Sequence, residues 1–145
     1  MHKCDAVVVA SSDYCLHRRA DGRNYIGDFI KKLGVDCDRI FVSGSVYELV
    51  RPTRPEYREK LLDCLRYSVF HHEAKTIHLI SNEGCSAYAR FLTNQKINEL
   101  EMLKSDLLEA RKILLKQFPN VEICLYIAKL EKGEKDVFKI QRVES

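Results

Sequence analysis

Apolar residues along the chain alternate between short continuous runs and longer stretches in which they recur every three or four positions. The runs are rich in Val and Ile, and they predict five β-strands, over 6–10, 39–42, 76–81, 121–128 and 137–143. The periodic stretches predict three helices, over 25–33, 56–71 and about 97–118. Strands that alternate with helices in this way are typical of a parallel α/β sheet.

Glycine and proline mark the ends of these helices. Gly34 follows the first helix, Pro52 and Pro55 precede the second, and Pro119 stops the third. A turn centred on Gly133 is predicted before the last strand. In the second helix five residues are expected to face the core, namely Leu61, Leu62, Leu65, Val69 and Phe70.

These elements predict a single domain over 1–145 with a three-layer αβα architecture. The sheet is expected to be mostly parallel, with strand order 2-1-3-4 and a fifth strand at its edge. In such sheets ligands bind at the carboxyl ends of the strands where the strand order reverses. The reversal lies between the first and third strands, so the loops 11–23 and 82–88 form the predicted site.

Charge and hydropathy exclude several classes of protein. The chain has 145 residues with 24 basic and 21 acidic side chains, a formal net charge of +3, and its basic residues are scattered. We therefore expect neither a nucleic-acid partner nor a membrane surface. The first apolar run is too short for a signal peptide, and no run reaches the roughly 18 residues of a membrane span, so a cytoplasmic location is expected.

Six cysteines are spread along the chain without paired spacing. They are Cys4, Cys15, Cys37, Cys64, Cys85 and Cys124. A chain with a full hydrophobic core and no export signal does not need disulfides, so we expect reduced thiols that are mostly buried.

The two loops of the predicted site carry a family resemblance. The segment 11–15 reads Ser-Ser-Asp-Tyr-Cys, and the segment 82–88 reads Asn-Glu-Gly-Cys-Ser-Ala-Tyr. They resemble the C-x-D-x-R and H-x-x-C motifs of β-carbonic anhydrases, in particular a short branch of that family with H-E-D-C-G-A-Y at the second motif. Weaker similarity extends over 38–52, 61–69 and 104–119 in the same order and spacing.

This resemblance implies a zinc site that has lost most of its ligands. In the family the two cysteines and the histidine hold zinc, and the Asp-Arg pair controls access to the metal. The matching residues here are Ser11, Asn82 and Cys85 for the zinc ligands, with Asp13 retained and Cys15 in place of the arginine. The resemblance also implies a homodimer with the site near the subunit interface.

A serine hydroxyl and an amide oxygen are poor zinc ligands beside thiolate and imidazole. Since zinc affinity depends on several good donors together, the loss of two should abolish tight binding. The sequence therefore predicts a carbonic anhydrase-like protein without a bound cofactor, inactive as a carbon dioxide hydratase and acting as a binding or structural homologue.

Two other uses of these loops stay open. Asp13, Cys15 and His17 alternate, so in an extended loop they would face one way and could form a displaced zinc site with Cys85. Alternatively, Cys85 follows Gly84 in the turn 82–86, just before a further helix start that is expected in addition to the three periodic helices, and there it could be a reactive thiol. Instead of carrying a reactive thiol, the same loop, in a pocket with Ser11, Asn82, Gly84, Ser86 and Tyr88, could bind a small anion.

The remaining candidates are weaker. Tyr88 and Arg90 could line the pocket, and Arg18, Arg19 or Arg23 could replace the missing arginine. His78 is expected to pack inside the third strand. His71 and His72 are assigned to ordinary helix C-terminal electrostatics, and the charges between 99 and 116 to a solvated helix face.

Overall fold

The computed structural model describes residues 2–92 (backbone only for 90–92), 98–131 and 134–143. Five strands form one sheet: β1 Ala6–Ser11, β2 Cys37–Val42, β3 Thr76–Asn82, β4 Glu122–Leu130 and β5 Phe138–Arg142. Their order is β2-β1-β3-β4-β5. The first four strands are parallel, and β5 pairs antiparallel with β4 at the edge. The predicted α/β class and strand order are confirmed.

Five α-helices connect the strands: α1 Tyr25–Leu33, α2 Tyr47–Val50, α3 Pro55–Arg66, α4 Ser86–Leu92 and α5 Glu99–Gln117. The short helix α2 was not predicted, because four residues are too few to show a helical period. The bounds of the five predicted strands and of the first and third predicted helices agree with the observed bounds to within about two residues. The second predicted helix differs from the structure at its end. Ile97 and Gly133, which the predicted third helix and last turn contain, lie outside the described residues.

Local chemistry explains where α1 and α5 begin and end. The Asn24 side chain accepts a hydrogen bond from the Gly27 N–H, and Asn98 caps α5 in the same way. Gly34 closes α1 with a φ of 68°, the left-handed conformation that glycine adopts without strain.

The alternation of side chains along the strands divides the core between the two faces of the sheet. On the α5 side, Val7 and Val9 pack with residues of α2, α3 and α5. On the α1 side, Val8 and Ala10 pack with residues of α1 and β5. We call these two groups the α5-side core and the α1-side core.

The predicted helix over 56–71 needs correction at its end. α3 stops at Arg66, and Tyr67–His71 forms a π-helical turn, in which one extra residue widens the coil. This shift changes which side chains face inward. Ser68 is buried, whereas Phe70, expected in the core, is 64% exposed.

Three further predictions are tested by burial. His78 packs as expected, with its ring 6.0 Å from that of Phe29 in α1. The six thiols are free, but only Cys85 and Cys124 are buried, so the expectation of mostly buried cysteines was wrong. Asp106 is also buried, against the expectation of a fully solvated charged face on α5.

No helix among the described residues is long and apolar enough to cross a membrane.

Candidate functional site

The two loops predicted to form the site leave the sheet side by side. Ser11 is the last residue of β1 and Asn82 the last of β3, and these strands are parallel neighbours. Cys85 follows Asn82 by three residues and precedes α4. The carboxyl-end site is therefore defined by Ser11, Asn82 and Cys85, at the point where the strand order reverses.

Ser11 and Cys85 contact each other directly. The Ser11 Oγ and Cys85 Sγ atoms lie 3.8 Å apart, and both residues are buried. The Ser11 Oγ also accepts a hydrogen bond of 3.2 Å from the Asp13 backbone N–H. Ser11 and Cys85, two of the three positions that the sequence resemblance assigned to zinc ligands, thus satisfy each other's polar groups.

Burial is the main influence on the Cys85 thiol. It raises the pKa of Cys85 above its ordinary value, and the neighbouring carboxylate of Asp13 raises it further. Hydrogen bonds from the Ala87 backbone and Ser11 act in the opposite direction without reversing the shift. The thiol is therefore protonated at neutral pH, which weakens it both as a nucleophile and as a metal ligand.

Asn82 is buried but is joined to neither Ser11 nor Cys85 by a hydrogen bond. Its side-chain N–H donates 3.2 Å to the backbone oxygen of Glu83. Its Oδ1 is buried and has no hydrogen-bond partner among the described residues. Alternation along β3 places Asn82 on the same face as Ile80, which belongs to the α1-side core, whereas Cys85 belongs to the α5-side core.

Backbone N–H groups of the 82–86 loop and of β4 are taken by carboxylates of the chain itself. The Gly84 N–H donates 2.7 Å to Glu99, and the Glu83 carboxylate accepts 2.9 Å from the Leu130 N–H. Ser86 starts α4 and is exposed. The carboxylate of Glu99 holds the Gly84 donor that an anion in this loop would need.

Behind Cys85 lies a buried hydrogen-bond network. Tyr88 is almost fully buried, and its hydroxyl donates 2.9 Å to Asp106 in α5. Arg51 holds the same carboxylate through two bonds of 2.9 and 3.0 Å. Burial and the adjacent Asp106 charge strongly raise the pKa of Tyr88, so its hydroxyl stays a donor. Tyr88 therefore supports α4 from the core.

The displaced ligand set is brought together only in part, because Asp13 neighbours Cys85 whereas Cys15 does not. Tyr14–Leu16 forms a 3-10 turn and not an extended segment, so the assumed alternation of Asp13, Cys15 and His17 does not hold. Cys15 packs against the α1-side core, away from Cys85. His17 contacts the Ser11 backbone oxygen at 2.7 Å and stacks on Phe41.

The candidate arginines have other contacts. Arg19 donates to the backbone oxygen of Asp136 and lies over the Tyr14 ring, and Arg23 forms an ion pair with Asp21. Arg18 is exposed. The Arg90 side chain lies outside the described residues, so its predicted place in the pocket is untested.

A second cluster, which the sequence analysis missed, lies at the opposite end of the sheet. Cys4 precedes β1, Asp38 is the second residue of β2, and His72 follows the π-helical turn. Their three donor atoms lie within 4.8 Å of one another, the one such group of His, Cys, Asp or Glu donors in the described parts of the chain. His72, assigned from sequence to helix-end electrostatics, instead contacts Asp38 at 2.6 Å. No sequence spacing could reveal this cluster, since its members are more than 30 residues apart.

Comparisons with known proteins were made at three levels. No family model and no curated protein matches the chain. Solved structures do match, and they include β-carbonic anhydrases of two fungi. One is that of Aspergillus fumigatus (13% identity, TM-score 0.61, covering 99% of this chain and 76% of that one).

Another is a tetrameric β-carbonic anhydrase of Sordaria macrospora (13% identity, TM-score 0.64, covering all of this chain and 83% of that one). A carbonic anhydrase of Streptococcus mutans matches with 15% identity and a TM-score of 0.61, over 99% of this chain and 83% of that one. At such identities the likeness concerns the fold. Together with the strand order and the position of the two loops, it shows that this chain has the β-carbonic anhydrase fold.

Proposed function

We propose that the chain is a β-carbonic anhydrase-like protein whose carboxyl-end site is degenerate, so that it serves as a binding or structural homologue and not as a carbon dioxide hydratase. The observation that carries this proposal is the contact between Ser11 and Cys85. These two positions, which would face a zinc ion in the family pattern, contact each other, and the Ser11 hydroxyl also accepts a bond from the Asp13 N–H.

The residues present do not fit a zinc ion. Ser11 offers a neutral hydroxyl, Asn82 an amide oxygen, and Cys85 a thiol whose pKa is raised by burial. Zinc prefers thiolate and imidazole ligands, and its affinity grows with their number. Asn82 is moreover not joined to Ser11 or Cys85 by a hydrogen bond, so the three side chains do not converge as a ready ligand set.

The observed contacts do not favour the alternatives. A displaced zinc site needs Cys15 and Cys85 together, but they pack against cores on opposite faces of the sheet. A reactive thiol at Cys85 needs a lowered pKa, and the shift is upward. Binding of a small anion remains a prediction. It is not supported by the hydrogen bond from the Gly84 N–H to Glu99, because this bond occupies a donor that the anion would need.

Carbon dioxide hydration and Cys85-dependent zinc test the proposal. We expect no hydration above the buffer rate, and the same zinc content in the chain and in its Cys85→Ser variant. Hydration activity, or zinc that is lost on Cys85→Ser, would overturn the proposal.

A gain-of-ligand variant shows how much of the site is left. In Ser11→Cys with Asn82→His, the family ligands return, so one further equivalent of zinc is expected if only these side chains were lost. A third change, Cys85→Ser, is the matched control and should remove that equivalent again. A double variant that gains no zinc would mean that the loops themselves have also changed.

We further propose a homodimer in the cytoplasm. The assembly is supported by family resemblance and by the fact that the Sordaria macrospora protein is described as tetrameric. Sedimentation equilibrium over a range of concentrations tests it, and a monomer at every concentration would contradict it.

A further inference from the structure

A half-buried cluster of metal-binding side chains lies at the amino end of the sheet, on the opposite side of the molecule from Cys85. Cys4, Asp38 and His72 each keep partial access to solvent. We propose that these three residues form a zinc-binding site, here called the amino-end site. The proposal uses none of the residues of the carboxyl-end site and does not depend on the function proposed for it.

The donor set is one that zinc prefers. It combines a cysteine sulfur, an imidazole nitrogen and a carboxylate oxygen, which are the three ligand types of protein zinc sites. Calcium and magnesium prefer oxygen ligands alone, so sulfur and nitrogen select against them. On binding, the Cys4 thiol becomes a thiolate and its proton passes to solvent.

The geometry needs only small adjustments. The three donor atoms already lie within 4.8 Å of one another, and the His72 Nδ1 is 2.6 Å from an Asp38 oxygen. Tetrahedral zinc with bonds of about 2.0–2.3 Å places its ligand atoms about 3.3–3.8 Å apart. The pair of His72 and Asp38 must therefore open by less than about 1 Å to admit the ion.

The backbone holds the ligands in place. The Cys4 N–H donates 2.9 Å to the backbone oxygen of His72, which ties the two residues together. The π-helical turn before His72 is a feature often found at functional sites, and Glu73 directly after it has a φ of 59°. A positive φ is uncommon for glutamate and points to a local constraint on the chain at this position.

A cavity gives access to the site. It has a volume of about 380 Å³, and its walls include Asp38 and His72 as well as Lys60, Cys64 and Tyr67. Three protein ligands leave the fourth position of a tetrahedral ion open, as in zinc sites that exchange a ligand. Because two of the three ligands line the cavity, we infer that this position takes a water molecule or a small anion from the cavity, which Lys60 also lines.

Zinc and cobalt titrations of the untagged chain test the proposal. Competition with a chromogenic chelator should show one equivalent of tightly bound zinc. Cobalt in its place should give the intense visible bands of a tetrahedral ion and the near-ultraviolet band of a thiolate ligand. Cys4→Ser and His72→Gln should each weaken zinc binding more than about 100-fold. In the cobalt spectrum, Cys4→Ser should remove the thiolate band, and His72→Gln should alter the visible bands.

Neighbouring residues of the same type are the matched controls. Cys37→Ser and His71→Gln change a cysteine and a histidine that are not in the donor group, and both should bind zinc as the parent does. Cys85→Ser should also leave binding unchanged, which separates this proposal from the one on the carboxyl-end site. No stoichiometric zinc in the parent, or zinc that depends on Cys85 and not on Cys4 and His72, would overturn it. Circular dichroism shows whether each variant is folded. If a variant is unfolded, the cobalt spectrum of the parent still tests the proposal, because a spectrum without thiolate absorption would contradict Cys4 as a ligand.

Discussion

The two ends of the sheet hold similar side chains in opposite environments. At the carboxyl end, Ser11 and Cys85 are buried, contact each other and adjoin the core. At the amino end, Cys4, Asp38 and His72 are half-buried, and Asp38 and His72 line a cavity of about 380 Å³. The carboxyl end thus offers a hydroxyl, an amide and a buried thiol, whereas the amino end offers a thiol, a carboxylate and an imidazole.

This difference shows that the position of a site in a fold and its chemistry can separate. Topology brings the ends of β1 and β3 together whatever residues they carry. Metal binding, in contrast, depends on donor type, protonation and access. The burial that raises the pKa of Cys85 and the packing of Tyr88 behind it make the carboxyl end a part of the core. We expect substitutions there to change stability more than substitutions at the amino end do.

The largest effect is expected at Asp106. Its carboxylate is almost fully buried and accepts bonds from the Tyr88 hydroxyl and from two nitrogens of Arg51. Asp106→Ala leaves the Tyr88 hydroxyl buried without its acceptor and removes one partner of an ion pair, so the free energy of unfolding should fall by about 3 kcal/mol. Because Arg51 is half-exposed, water can solvate its guanidinium group in the variant, so the expected loss of stability is at the low end of the range for buried ion pairs. Urea denaturation measures this free energy of unfolding.

An exposed residue on the same helix is the control for Asp106. Glu109→Ala should change the free energy of unfolding by less than about 0.5 kcal/mol. Cys4→Ser, measured without metal, should cost less than about 1 kcal/mol, since Cys4 is half-buried. If Asp106→Ala costs no more than Cys4→Ser, the carboxyl end is not the more tightly packed of the two regions.

A smaller loss is expected at Gly44, in the turn between β2 and α2. Its φ is +80°, and an added Cβ would lie 2.6 Å from the Tyr47 Cβ and 2.8 Å from the Ala87 Cβ. Gly44→Ala must therefore push this turn away from α4, at a cost of about 2 kcal/mol, measured by urea denaturation.

Gly34, which ends α1 at the amino end of the sheet, is the matched control for Gly44. It has a φ of +68°, but no atom within 4 Å of an added Cβ. Gly34→Ala should then cost only the backbone strain, about 1 kcal/mol. Equal losses at the two glycines would show that the close approach at Gly44 contributes nothing.

Much of this fold could be predicted from the sequence because its signals are local. Runs of Val and Ile predicted the strands, and Gly34 predicted the end of α1. The end of α3 could not be predicted, since the π-helical turn leaves the apolar spacing almost unchanged while it exposes Phe70. The burial of Asp106 could have been predicted, because this residue lies in an otherwise apolar series with Leu103 and Leu107 on α5.

The candidate sites were predictable to different degrees. The loops of Ser11 and Cys85 could be placed because strand order alone brings them together. The facing of Asn82 follows from the alternation along β3 and could have been predicted. The 3-10 turn after Asp13 could not, because so short a turn has no periodic signal in the sequence. The cluster of Cys4, Asp38 and His72 forms through contacts between distant segments, for which a single sequence carries no local signal.

The smallest expected effect concerns His78, a histidine of the sheet interior that contrasts with His72 at the amino end. Burial lowers the pKa of His78, a change that Glu122 on β4 opposes and Arg142 on β5 reinforces. The unfolded chain therefore binds the proton first, and stability should fall as the pH drops below about 6.5. His78→Gln keeps a hydrogen-bonding group near the Tyr126 hydroxyl, 3.1 Å from the histidine ring, but it does not titrate. Urea denaturation at several pH values should give a weaker pH dependence for His78→Gln than for the parent. If the stability of His78→Gln depends on pH as that of the parent does, the α1-side core accommodates the charged ring, and burial does not disfavour protonation of His78.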